Sequence, residues 1–168
     1  MDERPGDEAA LAVLLQEVRA DREAVERHAS TVREALGGAA WTAGSPTLSV
    51  VAVAAHHFYG AAQSIFERVA RAFEGLPERS DRWHQELLER MALRLEGVRP
   101  AVLRRETVGA LAPVLGFRHF FRHAYAVSFD PRRMRLAAED LLAAHALLRE
   151  DLDALEATLA LAVEEARR

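Results

Sequence analysis

Residues 45–73 read SPTLSVVAVAAHHFYGAAQSIFERVARAF, and this stretch decides the fold. Proline is accepted in the first turn of a helix, so a helix starts near Ser45 or Thr47 and runs to about Phe73. Apolar side chains fall on nearly every side of it: Val50, Val51, Phe58, Ile65, Phe66, Val69 and Phe73. A helix that is apolar all round is buried, which makes this one the centre of the domain. Its most apolar part, Leu48 to Ala62, contains His56, His57 and several small residues, and fits a buried helix better than a membrane span.

The flanking segments supply helices to cover it. Upstream, Leu11, Leu14, Val18, Val25 and Val32 recur at three- and four-residue spacing, which predicts a first helix over about 8–36. Gly37-Gly38 ends it, and residues 37–47 form a loop in which Trp41 is a packing anchor over the bundle end. Downstream, Gly75-Leu76-Pro77 stops the central helix. Ser80 or Asp81 caps a short helix from Trp83 to about Leu93. Gly97 and Pro100 lie in the next loop. A fourth helix covers about Arg104 to Val127, with Pro113 expected to kink it or split off a main piece from Val114. Asp130-Pro131 is a cap followed by proline at the first helical position. The last helix then runs to about Glu165, with Met134, Leu141, Leu148 and Leu155 in heptad spacing and Leu152 and Leu159 beside them. No segment alternates with period two for long. The expected fold is all-α: one domain over residues 1–168, an antiparallel bundle of four main helices plus a short one.

Composition narrows the chemistry. The chain has 168 residues and no cysteine, which excludes disulfides, cysteine-ligated metals and thiol catalysis. The first 20 residues are acidic at the start and show no secretory pattern, so a soluble cytoplasmic protein is expected, with no membrane partner. All 22 basic residues are arginine, and the net charge is −4. Between Arg94 and Arg135, however, nine arginines stand against only Glu96, Glu106 and Asp130. A basic segment on an acidic body suits a phosphate-bearing partner, or else a face that docks on the acidic helices.

The informative stretch inside that segment is Phe117-Arg118-His119-Phe120-Phe121-Arg122-His123-Ala124-Tyr125. Histidine moves protons near neutral pH, and arginine grips phosphate oxygens in pairs. On a helix Arg118, Arg122 and Tyr125 share one face, and His119, Arg122 and His123 form a neighbouring stripe. RNA carries its own nucleophile, the 2′-hydroxyl. A site that deprotonates it, holds the phosphate and protonates the leaving oxygen needs no metal and no cofactor.

Arg118-x4-His123-x-Tyr125 resembles the Arg-x4-His-x-Tyr signature of HepT-like toxins, members of the HEPN ribonuclease superfamily. His119 fits the superfamily's polar residue after the arginine. His56-His57-Phe58-Tyr59 and Ile65-Phe66-Glu67-Arg68-Val69-Ala70 resemble the second helix of the family. Trp83-His84-x-Glu86-Leu87-Leu88 and Gly97-Val98-Arg99-Pro100 resemble the segment that follows it. The resemblance spans about residues 48–155. A second Arg-x4-His, Arg79 to His84, is read as a chance match: it lacks the tyrosine and crosses an acidic loop, and His84 is expected to matter little. Requiring the tyrosine lowers the chance expectation from about 0.9 occurrences to about 0.01.

The resemblance implies a metal-independent endoribonuclease toxin of a HepT/MNT-type toxin–antitoxin system, acting on RNA as a homodimer whose motif helices face one another across a groove. It assigns Arg118 to the phosphate and transition state, His123 to acid–base work, and His119 to a supporting or RNA-binding role; Arg122 adds a phosphate-binding cation beside them. Tyr125 is the modification position, to which a cognate minimal nucleotidyltransferase antitoxin transfers AMP. The alternative is a non-catalytic HEPN bundle that binds RNA, a nucleotide or a protein partner. One geometric point bears on the active form. Five residues along a helix is about 140° of rotation, so Arg118 and His123 converge only across a dimer or through a local distortion.

The remaining candidates read as structural. His56 and His57 point to different faces, one buried and one near a groove. His145 takes a leucine position in the last helix and is expected to be partly buried and satisfied. His119 and His123 have metal-ligand spacing, but no carboxylate accompanies them and the arginines repel cations. Arg132, Arg133 and Arg135 either bind phosphate or cover the start of the last helix. There is no glycine-rich phosphate loop, no Ser/His/Asp order and no dinucleotide fingerprint.

Overall fold

The computed structural model describes residues 5–38, 40–123 and 129–168, and for 5–7, 122 and 123 the backbone only. The described residues form five helices: α1 (Pro5–Gly38), α2 (Pro46–Phe73), α3 (Trp83–Met91), α4 (Arg105–His123) and α5 (Pro131–Ala166). The all-α bundle is as expected.

The pairings give the topology. Arg68 reaches back from α2 to Asp21 and Glu17 on α1, at 2.7 and 2.8 Å, while His57 stacks on His28. Higher numbers on one helix meet lower numbers on the other, so α1 and α2 are antiparallel. Arg22 pairs with Glu156 at 2.8 Å and Arg167 with Glu8 at 2.8 Å, so α1 and α5 are antiparallel as well. Gln63 with Arg118 and His56 with Phe121 set α2 against α4 in the same sense. Thr107 with Asp151, and Gly116 and Phe117 lining one cavity with Met134, do so for α4 and α5. The four long helices thus form a closed ring, α1–α2–α4–α5. The short α3 lies over α2 and α4, and α2 touches every other helix.

The core follows the sequence periodicities. Leu14, Val18, Val25 and Val32 of α1 are buried, as are Met134, Leu141, Leu148, Leu152, Leu155 and Leu159 of α5. On α2, Val51, Phe58, Ile65, Phe66 and Val69 are buried. Val50 and Val53 are not: at 50% and 46% exposure they face solvent, because the N-terminal end of α2 is covered on fewer sides.

Helix ends obey local chemistry, with three adjustments. Ser45 caps α2, its Oγ accepting from the Thr47 N–H at 3.2 Å, with Pro46 at the first helical position. Asp130 caps α5, accepting from the Arg133 N–H at 2.9 Å. Gly75, at φ +79°, takes the left-handed turn that ends α2. The first adjustment is that α1 continues through Gly37 to Gly38, so the loop begins later than expected. Second, α3 ends at Met91, and the residue at its N-cap is Arg82, not Ser80 or Asp81. The Ser80 hydroxyl instead accepts from the Arg82 N–H at 3.2 Å and holds the turn before the helix. Third, α4 begins at Arg105 and runs through Pro113 without splitting. Pro113 and Gly109 are both exposed, so water satisfies the carbonyl that proline leaves unbonded. The helix is described to His123, and its expected continuation to Val127 lies outside the described residues. Trp41 does anchor the bundle end: its indole N–H donates to the Ala35 carbonyl at 3.2 Å, and Arg135 lies over its ring at 5.9 Å.

Two buried polar groups tie the α3–α4 segment down. Arg99, only 2% exposed, donates to Glu74 Oε1 at 2.8 Å and to the carbonyls of Leu93, Pro100 and Arg90 at 3.0 Å each. Asp151 of α5 accepts from the Arg104 backbone N–H at 3.0 Å, so a side chain from another helix caps α4. Replacing Arg99 by Met would leave Glu74 buried without its main cation, a loss of about 3–5 kcal/mol. Urea denaturation is expected to show that loss for Arg99→Met, and a change within about 0.5 kcal/mol for the exposed Arg94→Met.

Candidate functional site

Position on α2 dictates which side chains α4 can meet. His56, Tyr59, Gln63 and Glu67 recur at three- and four-residue intervals, so they line one face of an otherwise apolar helix. That face looks onto α3 and α4. Gln63 is its hub. The carboxylate of Glu67 only accepts, so it takes the Gln63 amide N–H, at 2.8 Å. The amide oxygen is thereby turned the other way. It accepts from Arg118 Nη1 at 2.9 Å and lies 2.7 Å from His84 Nδ1. Because an amide oxygen cannot donate, His84 Nδ1 carries the proton in that contact.

Arg118 is half-buried, and its guanidinium also sits over the Tyr59 ring, 5.8 Å from the centroid. A cation on an aromatic face contributes about 0.5–1 kcal/mol at such a site. Burial pushes the Tyr59 phenol well above its ordinary proton affinity, outweighing the opposing charge of Arg118, and its hydroxyl has no hydrogen-bond partner among the described residues. Tyr59 is therefore a neutral platform. His84 is half-buried, its ring edge-on to Trp83 at 5.0 Å and to His119 at 5.5 Å. His119 is exposed. One cation from α4 and one imidazole from α3 thus meet at a single amide oxygen of α2, with His119 beside the imidazole.

A second row of imidazoles borders this cluster. His56, half-buried, lies 5.5 Å from Phe121 and 5.3 Å from His57. His57, exposed, stacks on His28 at 5.3 Å. Burial, and then the nearby His57 and Arg27, lower the proton affinity of His28. His145 is more buried than the sequence suggested, at 3% exposure. Its Nε2 is 3.0 Å from Glu26 Oε2 but not aligned for a hydrogen bond, and its ring meets the Phe58 edge.

The other sequence candidates are placed as follows. Arg122 and His123 belong to the last turn of α4, and their side chains lie outside the described residues; Tyr125 lies outside them altogether. The helix is regular through His123, so the positions of Arg118 and His123 stand about 140° apart around its axis. The basic segment does not act as one surface. Arg99 is in the core, Arg104 pairs with Asp151 and Glu150, and Arg135 pairs with Glu139. Arg132 and Arg133 are exposed at the start of α5. No group of three or more potential metal ligands occurs among the described residues, and no described helix is long and apolar enough to cross a membrane.

A family model described as HepT-like protein matches residues 50–159, well over half of the chain. The chain belongs to the HepT-like family. No curated protein and no solved structure matches it. The match opens in α2 and closes in α5, so this HepT-like protein holds Tyr59, Gln63, His84, Arg118 and His119 within the family region.

Two members of the cluster escaped the sequence reading. Gln63 was legible in principle: an amide in Ala61-Ala62-Gln63-Ser64-Ile65, deep in an apolar helix, must have a partner. His84 was discounted because its own Arg-x4-His copy lacks the tyrosine. The structure brings it beside the arginine of the other copy, a meeting that needs α3 to fold over α2 and α4. Gln63→Leu removes the acceptor that Arg118 and His84 share. It is expected to destabilise the HepT-like protein by about 1–3 kcal/mol in chemical denaturation.

Proposed function

We propose that this HepT-like protein is a metal-independent endoribonuclease toxin of a HepT/MNT-type pair, and that RNA is its substrate. The observation that supports this most is the setting of Arg118. Its guanidinium is held by an amide oxygen and an aromatic face, with the His84 imidazole at the same oxygen and His119 beside that ring. A fixed cation beside proton-carrying groups is what phosphoryl transfer to a 2′-hydroxyl requires. In the proposed reaction the 2′-oxygen loses its proton and bonds to phosphorus. Arg118 stabilises the charge on the phosphate oxygens, and the 5′-oxygen leaves with a proton. His123 exchanges one of these protons, His119 and Arg122 bind the RNA backbone, and no cofactor takes part.

The 140° between the Arg118 and His123 positions supports a homodimer in which two α4 helices face one another across the RNA groove. Tyr125, two residues past His123, is the proposed switch. AMP transferred to it by a cognate minimal nucleotidyltransferase antitoxin would add bulk and negative charge where a phosphate binds. An ordinary tyrosine phenol, with a proton affinity near 10, is a poor base at neutral pH.

Purified protein incubated with total RNA and EDTA is expected to cut it and leave 2′,3′-cyclic phosphate ends. Arg118→Ala and His123→Ala are each expected to slow cleavage at least ~100-fold. Strict dependence on a divalent cation, equal cutting of a substrate with 2′-deoxy at the scissile position, or a monomer mass in light scattering with activity intact would each overturn the reading. Without any cleavage, RNA binding by the same protein would favour the non-catalytic bundle.

Tyr125→Phe is expected to keep substantial nuclease activity and to escape inactivation on coexpression with a neighbouring nucleotidyltransferase. Mass spectrometry checks this. Full inhibition of a protein whose Tyr125 is unmodified would remove the switch.

A further inference from the structure

We infer that the cavity between α4 and the start of α5 is a nucleobase pocket, in which one base of a single-stranded RNA stacks on Phe120 while Arg133 holds the adjoining phosphate. The inference rests on the proposed ribonuclease activity and deepens it, by naming where the substrate is gripped beside the motif. The cavity, about 340 Å³, lies between Phe117 and Phe120 of α4 and Phe129 and Met134 around the start of α5. Its wall is fixed. The rings of Phe117, Phe121 and Phe129 stack in series at 6.4 and 6.2 Å, each pair 18° from parallel, and Met134 is buried. Phe120 is instead 50% exposed, so one large ring is presented to solvent at the cavity. Gly116 leaves space beside it. Glycine is a poor helix former in mid-helix, and a Cβ at Gly116 would meet nothing within 4 Å beyond its own helix backbone among the described residues, so packing does not require it.

The charges around the cavity choose the occupant. Asp130 lines it, and its side chain is engaged as the cap of α5 by the Arg133 backbone N–H, which holds the carboxyl below its ordinary range. A negative group inside the cavity would meet that carboxylate, whereas a flat neutral ring fits the aromatic wall. Arg133 also lines the cavity and is exposed. Unlike Arg104 and Arg135, it forms no ion pair among the described residues, and Arg132 is exposed beside it. A nucleotide joins a neutral π-face to an anion, and a presented ring next to a guanidinium matches both parts. The pocket also lies in reach of the motif. Phe120 follows Arg118 by two residues, about 200° around α4, so the two flank the helix. A helix is about 10–12 Å across, a distance that a few nucleotides of one strand cover as they pass over its exposed face.

The test uses a 2′-O-methyl RNA hexamer of mixed sequence, which cannot be cut, and six versions of it that each lack one base. In fluorescence anisotropy, loss of one particular base is expected to weaken binding to the wild-type protein about tenfold, and the others less. Phe120→Ala is expected to weaken the intact hexamer by a similar factor and to abolish the effect of removing that one base, since both changes delete the same stack. Phe120→Trp is expected to retain the effect, and Phe120→Leu, which keeps apolar bulk without a π-face, to lose it. Gly116→Leu places a side chain in the space beside the ring and is expected to give the same loss with no fall in thermal stability. Arg133→Gln is expected to weaken all versions alike and to lower the slope of log affinity against log salt by about 0.7, the share of one phosphate on a single strand. If RNA binds or is cut but no base matters, or if the base effect persists in Phe120→Ala, the pocket is overturned and the ribonuclease reading stands. If Phe120→Ala weakens every version equally and lowers the mass in light scattering, the surface is a contact between copies, which also overturns the pocket. A wild-type protein that neither binds nor cuts RNA overturns the pocket and the ribonuclease reading together.

Discussion

A helix enclosed by other helices has no water to satisfy its polar side chains, and α2 is in that position along most of its length. A polar group it carries toward the interior is costly unless a protein partner satisfies it. The face of α2 that holds His56, Tyr59, Gln63 and Glu67 therefore dictates what α3 and α4 present to it. Gln63 shows the constraint most directly. With its amide nitrogen engaged by Glu67, its oxygen needs donors, and the donors supplied are Arg118 and His84. The cluster at the candidate site is thus the solution to a burial problem as well as a chemical arrangement. The same contact that satisfies the core sets the tautomer of an imidazole and the direction of a guanidinium.

That solution depends on where α3 and the start of α4 lie, and both are held by buried charge. Arg99 is enclosed with Glu74 at the end of α2 and also bonds one carbonyl in the last turn of α3 and two in the segment that leads from α3 to α4. Its energetic value as an isolated ion pair is modest, since desolvation offsets much of the attraction. Its value for geometry is larger, because four acceptors from the chain around it close on one planar donor. Asp151 does the corresponding work from α5, accepting the Arg104 N–H and the Thr107 hydroxyl. Between them, these groups fix both ends of the α3–α4 connection. His84 and Arg118 are then brought to the same oxygen from separate helices.

Arginine serves different purposes within one charge-rich segment, and only position separates them. Arg99 is core structure, Arg104 binds α5, Arg135 covers Trp41 and pairs with Glu139, and Arg118 belongs to the candidate site. A local excess of positive charge in sequence is therefore a weaker pointer to phosphate binding than the placement of a single guanidinium on an aromatic face.

The sequence by itself determined the elements, the family and the axial order of the motif. Periodicity is a local property, so the apolar stripes of α1 and α5 and the burial of most of α2 were readable from spacing alone, as were the Ser45 and Asp130 caps. The Arg118, His119 and His123 positions lie on one helix and needed no tertiary knowledge to be grouped. What only the tertiary structure decided was contact between residues far apart in the chain. Gln63, His84 and Arg118 are separated by 21 and 55 residues as counted from Gln63, and nothing local to any of them encodes the shared oxygen. The exposure of Val50 and Val53 and the uninterrupted helix through Pro113 were settled the same way. Propensity describes a residue and its near neighbours, whereas burial and solvent access depend on which other helices arrive beside it.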